Sequence, residues 1–136
     1  GIGTVVGSYI GGPLANRKDR MPLMAISSLA GGAAALLLFL IEVPVWAAVA
    51  IATGAVALLS VAWPLMITFS AEISTQSRAT GVGLLGASNQ SGGVGGAAIG
   101  GVLLAASGLP GVGYLCLGAT AFSALVIALF MRQARP

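Results

Sequence analysis

Long stretches of apolar residues without a single charge dominate the chain. The long apolar stretches without a charge cover residues 1–15, 21–41, 43–71 and 79–131, which are 15, 21, 29 and 53 residues long. An α-helix that crosses the hydrocarbon core of a bilayer, roughly 30 Å thick, needs about 20 apolar residues at a rise of about 1.5 Å each. The second and third runs therefore predict one membrane-spanning helix each.

The longest and the shortest runs do not match the length of a single span. In one helix, 53 residues would measure about 80 Å, so this run must turn back, and Gly and Pro between Ser107 and Gly111 mark the turn. The first run reaches only about 22 Å, so we expect a truncated span that begins before Gly1, in a C-terminal portion of a longer protein. The pattern predicts an all-α polytopic membrane helix bundle with five spans, at about 1–15, 22–41, 45–71, 79–106 and 111–131.

Composition excludes the other broad classes of protein. Only nine of the 136 residues are charged, and 57% are hydrophobic, with a further 21 glycines. A soluble domain of this size has too little interior for so much apolar chain, and a disordered chain would be polar and charged. Histidine is absent and Cys116 is the single cysteine. The sequence therefore predicts no enzyme activity, no catalytic residue, no cofactor and no metal site.

All the cations fall on one side of the predicted membrane. They occupy the first and third connections and the C-terminal tail, whereas the opposite side carries only Glu42. Lys and Arg are enriched in cytoplasmic connections, and six dispersed cations form no stripe for a nucleic acid. We therefore expect a multi-pass protein of the cell membrane, of the bacterial inner-membrane type, with a cytoplasmic C-terminus. The six cations are Arg17, Lys18, Arg20, Arg78, Arg132 and Arg135.

Two predicted spans carry stripes of glycine. In the fourth span the glycines that recur at every fourth residue are Gly92, Gly96 and Gly100. A shorter stripe in the first span consists of Gly3, Gly7 and Gly11. Small residues on one face let two helices approach closely in lipid. Both stripes are therefore helix-packing candidates, and static packing and a sliding contact remain open alternatives.

Polar residues lie near the middle of two predicted spans. Asn89 and Gln90 belong to the fourth span, and Ser60 and Trp63 lie beside Pro64 in the third. A polar group at this depth needs a partner on a neighbouring helix or in a water-filled cavity. These four residues are candidates for a substrate cavity, and interhelical hydrogen bonding or packing is the alternative.

The connection between the first two spans carries a motif. Residues 12–20 read Gly-Pro-Leu-Ala-Asn-Arg-Lys-Asp-Arg, which resembles the cytoplasmic signature loop of the major facilitator superfamily, G-x-L-A-D-R-x-G-R. Asn16 and Asp19 replace the Asp and Gly of that motif, and such degeneracy looks like the second copy, between the eighth and ninth helices. The stretch from Glu72 to Gly101 resembles the tenth–eleventh loop and the eleventh helix of bacterial efflux-type members.

The resemblance implies the C-terminal part of a twelve-helix permease, from the end of the eighth helix to the twelfth. Such a secondary transporter moves a small molecule, here by efflux, through alternating access between two halves. Its partners would be membrane lipid, the N-terminal half of the same chain, the small-molecule substrate and, in a proton-coupled carrier, protons. The loop residues that the resemblance assigns to a cytoplasmic gate are Gly12, Asn16, Arg17, Asp19 and Arg20.

Two questions remain open from the residues alone. A non-transporting membrane subunit held together by glycine stripes is the alternative to a transporter. In addition, a proton-coupled carrier usually needs an ionisable residue inside the membrane, which marks the proton path, and no predicted span contains a charged residue. Any coupling carboxylate is therefore expected upstream of Gly1.

Overall fold

The chain forms a bundle of five α-helices in a computed structural model that describes residues 1–16, 19–73 and 77–133. The predicted all-α bundle is therefore confirmed, and the longest charge-free run, residues 79–131, contributes to two helices. In chain order the helices are α1 (Ile2–Leu14), α2 (Arg20–Leu40), α3 (Val45–Ile73), α4 (Arg78–Ser107) and α5 (Leu109–Gln133).

Three of the helices are long and apolar enough to cross a membrane by themselves. They are α2, α3 and α5, whose most apolar windows have mean hydropathies of 2.1, 2.2 and 2.1. With 13 residues, α1 is too short to cross the hydrocarbon core. With 30 residues, α4 has the length, but its many glycines and polar residues lower its hydropathy. Length therefore permits α4 to span, whereas composition does not single it out.

Glycine and proline determine the turn between α4 and α5. Gly108 has a φ of 70°, in the left-handed region that favours glycine. Its N–H donates to the carbonyl of Leu104 at 3.0 Å, which closes α4. Pro110 then lies in the first turn of α5, where the missing N–H needs no partner. The chain consequently reverses direction within two residues.

The helices pack unevenly. α2 packs along α3 and α5, and α1 packs along α3, whereas α4 has a smaller contact with each of α3 and α5. None of the described residues of α4 is buried. The core lies where α1 ends and α2 begins, against the second half of α3, and Leu65 at its centre is completely buried. The buried members of this core are Ala15, Met24, Val61, Ala62 and Leu65.

Large apolar side chains cover the outside of the bundle. Trp46, Tyr9 and Ile2 are 85%, 84% and 78% exposed. Exposure to water costs about 25 cal/mol for each Å² of apolar surface. The outer surface is therefore suited to lipid or to further helices rather than to water.

Candidate functional site

Four helices surround a pocket near the middle of the bundle. The pocket has a volume of about 430 Å³, and α2, α3, α4 and α5 all contribute to its wall. Volumes of this order accommodate small-molecule ligands. The indole of Trp63 forms part of the wall on α3. The polar residues of this midplane pocket are Ser28, Ser88, Asn89, Thr120 and Ser123.

The depth of the midplane pocket follows from helix geometry. Ser28 lies eight residues after Arg20, at which α2 begins, or about 12 Å along the axis. Asn89 lies eleven residues after Arg78, at which α4 begins, or about 16 Å along the axis. If a hydrocarbon core about 30 Å thick begins at these two helix ends, both residues lie close to its centre.

The hydroxyl groups of the pocket differ in their free hydrogen-bonding capacity. Thr120 Oγ1 lies 3.0 Å from the carbonyl oxygens of Cys116 and Leu117, so its hydrogen is used within α5 and its lone pairs remain free. Ser28 is only 7% exposed and forms no side-chain hydrogen bond with the described residues. No buried polar side-chain atom in the described ranges is both inaccessible and unpaired. Ser28 lines the pocket, and its hydroxyl group can act both as a donor and as an acceptor.

Two of the four residues predicted for a cavity come together in the pocket. Trp63 and Asn89 both line it, on α3 and α4. Ser60 faces α1 instead, since a Cβ built on Gly7 would lie 2.8 Å from the Cβ of Ser60. Gln90 is exposed and does not contribute to the pocket wall. Successive residues of a helix point about 100° apart, so neighbours in sequence reach different surroundings.

The glycines of α1 pack directly against the backbone of α3. A Cβ built on Gly3 would lie 2.5 Å from the carbonyl oxygen of Thr53, and one on Gly11 would lie 2.5 Å from that of Val61. Real Cβ atoms do not approach an oxygen so closely. The stripe in α1 therefore allows the close backbone contact that small residues provide between membrane helices.

The glycine stripe of α4 is open in this structure. A Cβ built on Gly92 or Gly96 would have nothing within 4 Å among the described residues, and one on Gly100 would meet only Leu115 Cδ2, at 3.9 Å. Gly92 follows Asn89 by three residues, and Gly96 and Gly100 follow at intervals of four. The stripe therefore lies on the same side of α4 as Asn89 and the pocket. The described part of the chain therefore does not provide the close contact predicted for this stripe, because α4 stands away from its neighbours beside the pocket.

An ion pair joins the beginning of α2 to the end of α3. Arg20 Nη1 donates to Glu72 Oε1 at 2.9 Å, and Arg20 Nη2 donates to Glu72 Oε2. This two-pronged geometry matches a planar guanidinium to a carboxylate. The guanidinium also lies over the ring of Phe69, 5.4 Å from its centroid. The pair therefore holds together two helix ends that are far apart in sequence.

The whole chain matches a single protein-family description. The family model of the Major Facilitator Superfamily covers residues 1–136. The chain belongs to the Major Facilitator Superfamily. No curated protein and no solved structure matches it. Proteins of this superfamily are membrane transporters rather than enzymes, so the chain belongs to a multi-pass membrane transport protein.

The signature loop of this Major Facilitator Superfamily member divides into exposed and paired residues. The guanidinium of Arg20, the last residue of the motif, pairs with Glu72. Arg17 lies outside the described residues. The exposed residues of the loop are Gly12, Asn16 and Asp19. Within the described residues, the loop therefore contacts the rest of the bundle through Arg20 and through Ala15, which is buried in the core.

Sequence reasoning missed most of the polar wall of the pocket in this superfamily member. The available signal was a hydroxyl near the middle of each apolar span, as at Ser28 and Thr120. That signal is weak, because Ser and Thr in helices often donate to their own backbone, as Thr120 does. Which hydroxyls face a common space depends on how the helices are rotated against each other.

A second, wholly apolar cleft was also not predicted. It has a volume of about 130 Å³ and lies between α2, α3 and α5. The wall of this cleft includes Phe69, and the guanidinium of Arg20 lies over the ring of Phe69. The residues that line this apolar cleft are Met21, Met24, Phe69, Val126, Ile127 and Phe130.

Proposed function

We propose that the chain is part of a secondary active transporter that exports a small molecule by alternating access. The observation that supports this proposal is the midplane pocket, which combines Trp63 and Asn89 with four hydroxyl groups at the depth of the bilayer centre. In transporters, substrate sites lie near this depth between helices. Polar groups at this depth are otherwise unfavourable unless they have partners.

The Arg20–Glu72 ion pair serves as a cytoplasmic latch in this proposal. It connects the beginning of α2 with the end of α3 in one of the two states of the transport cycle. Glu72 is 52% exposed at its side chain, and exposed ion pairs contribute little to stability. The latch can therefore open and close during a cycle without a large energetic barrier.

The remaining partners follow from the superfamily and from the charges. Membrane lipid surrounds the bundle, an N-terminal half of the same chain completes the substrate path, and protons or another ion provide the driving force. The protein lies in the cell membrane with its C-terminus in the cytoplasm, because the cations of the chain gather on one side.

Transport of two dyes into inverted membrane vesicles tests the proposed function. The full-length carrier is assayed with uncharged N-phenylnaphthylamine and with the ethidium cation. We expect Trp63→Ala and Asn89→Ala to slow the energy-dependent uptake of a transported dye severalfold, because both side chains line the pocket. Trp46→Ala and Gln90→Ala are the matched controls and are expected to transport like the wild type.

Two outcomes would contradict the proposal. Energy-dependent uptake of neither dye by the wild type would favour the non-transporting subunit. Equal loss of transport in a pocket variant and in its matched control would show that the pocket is not the substrate site.

A further inference from the structure

The wall of the midplane pocket carries no charge. Eleven residues from α2, α3, α4 and α5 line it, and all of them are apolar, aromatic, hydroxyl or amide side chains. An uncharged wall limits the chemical class of substrate that the pocket can bind, and this inference rests on the proposed transport function. An ion taken from water into such surroundings loses its hydration and is strongly disfavoured without a counterion.

The charged side chains nearest along α2 and α3 are distant from the pocket wall and are paired with each other. Met66 in the pocket wall lies six residues before Glu72, about 9 Å along α3. Ser28 lies about 12 Å along α2 from Arg20. Arg20 and Glu72 neutralise each other in the latch. Arg78 begins α4 seven residues before Leu85 in the wall, about 10 Å along the axis. Among the described residues, therefore, no charged side chain belongs to the pocket wall.

The wall offers hydrogen bonds in both directions. The hydroxyl group of Ser28 can donate and accept, and the amide of Asn89 provides two donors and an acceptor. Thr120 Oγ1 retains only acceptor capacity, since its hydrogen is directed to the backbone of α5. A ligand that matches this wall needs both donors and acceptors at its edge.

The wall also offers a flat apolar surface. Trp63 contributes an indole ring, and Met66 lies one turn further along the same helix. Aromatic rings favour offset stacking with other rings, and the thioether of Met adapts to flat apolar groups. With a volume of about 430 Å³, the pocket accommodates a small molecule rather than a peptide.

We propose that the midplane pocket binds an uncharged small molecule with a flat, ring-like apolar face and hydrogen-bonding groups at its edge. The face lies against Trp63 and Met66. The edge groups exchange hydrogen bonds with Ser28 and Asn89. Anions and cations of the same size are disfavoured because the described part of the wall provides no counterion.

Thiol reagents that differ only in charge test this proposal. The variant Ser28→Cys is made in the full-length carrier with Cys116→Ala, so that the pocket thiol can be followed. It is treated with uncharged methyl methanethiosulfonate and with the trimethylammonium-ethyl and sulfonatoethyl analogues. Ser77→Cys, exposed at the beginning of α4, provides the reactivity of each reagent in water.

The uncharged reagent is expected to modify Ser28→Cys readily. After normalisation to Ser77→Cys, both charged reagents are expected to react at least about tenfold more slowly, which corresponds to about 1.4 kcal/mol in barrier height. Leu125→Cys is the control for a lipid-facing thiol, because Leu125 is exposed on α5 at a similar depth and outside the pocket wall.

Each other outcome overturns part of the proposal. Equal reaction of charged and uncharged reagents at Ser28→Cys would overturn the uncharged class. Failure of all three reagents, as expected at Leu125→Cys, would overturn an accessible pocket. Ser88→Cys, on the exposed part of the wall, provides the same comparison if Ser28→Cys does not fold.

The dye assay separates this inference from the proposed function. If the wild type exports ethidium and Asn89→Ala does not, the pocket accepts a cation. This result would contradict the proposed uncharged substrate but would support the proposed transport function. Absence of transport for both dyes, together with selective labelling by the uncharged reagent, would overturn the proposed function and leave the pocket chemistry intact.

Discussion

Gly7 lets α1 lie against α3 because it has no side chain. A Cβ at this position would overlap the carbonyl oxygen of Ala57 and would lie 2.8 Å from the Cβ of Ser60. Gly12 belongs to the same helix, but a Cβ there would have no atom of the described residues within 4 Å. The two glycines therefore form a matched pair, in which only one supports a helix contact.

The first prediction concerns this pair. Gly7→Ala is expected to lower the free energy of unfolding by about 1–3 kcal/mol, the usual cost of overpacking. Gly12→Ala is expected to leave stability unchanged or to raise it by up to about 1 kcal/mol, because Ala favours helix. Unfolding of the purified protein in detergent checks both variants. Equal stability of the two variants would show that α1 is not in close contact with α3.

Arg20 combines two interactions at one position. Its guanidinium forms the two-pronged ion pair with Glu72 and lies over the ring of Phe69. Lys would keep the charge at this position but would lose the planar fork. The geometry, and not only the charge, therefore contributes to the latch.

The second prediction concerns the latch. Glu72→Gln is expected to slow transport severalfold, because it removes the charge that favours the latched state. Its unfolding temperature is expected to change little, because the pair is partly exposed. Arg20→Lys is expected to give an intermediate rate, and the exchange Arg20→Glu with Glu72→Arg is expected to recover part of the loss. Full transport by Glu72→Gln in vesicles would rule out a latch.

Among the helices, α4 is the least constrained element. It buries none of its described residues, and its glycine stripe faces open space beside the pocket. Membrane helices approach each other most closely at such stripes. The stripe therefore provides a surface against which another helix, or a shifted position of α4, could pack.

The third prediction tests this surface. Gly96→Leu in the full-length carrier is expected to reduce transport severalfold, because a bulky side chain prevents close approach at the stripe. Gly83→Leu, on α4 but about 140° around the helix from Gly96, is the matched control and is expected to transport normally. Dye uptake into vesicles, corrected for the amount of protein in the membrane, provides the comparison. Equal rates for the two variants would assign the stripe no role in transport.

For the whole molecule, the distribution of charge predicts an orientation of the bundle in the membrane. Glu42 is exposed between α2 and α3, and Ser77 is exposed where α4 begins. The positive-inside rule places these two positions on opposite sides of the membrane.

The fourth prediction follows from this orientation. In a Cys116→Ala background, Glu42→Cys is expected to react with a membrane-impermeant maleimide in intact cells. Ser77→Cys is expected to react only after the membrane is permeabilised. Labelling of Ser77→Cys alone in intact cells would show that the orientation is the reverse of the predicted one. Labelling of both positions would show that they lie on the same side, so that α3 does not cross the membrane.

The helices could be predicted from the sequence because their formation is local. In lipid, every backbone N–H and C=O needs a partner within its own segment, so each long apolar run becomes a helix. Gly108 and Pro110 could likewise be recognised as a turn, because both act on their own backbone. The charges at the ends of the runs also indicated which side faces the cytoplasm.

The site could be predicted only in part, because it depends on how helices face each other. Trp63 and Asn89 were recognised as polar or aromatic residues at the right depth, and they meet in one pocket. Ser60 and Gln90 satisfied the same criterion but face elsewhere. In a soluble helix the apolar stripe would reveal the inner face, whereas these helices are apolar on all sides.

By itself, then, the sequence determined five helices, their approximate ends and an uncharged interior, because these properties belong to single segments. Only the tertiary structure decided that Arg20 pairs with Glu72, 52 residues away, and that hydroxyls from three helices share one pocket with Trp63. It also showed that the glycines of α1 are packed, whereas those of α4 are open. The physical reason is that such contacts depend on the rotation and separation of helices that are distant along the chain, and a local pattern does not encode these quantities.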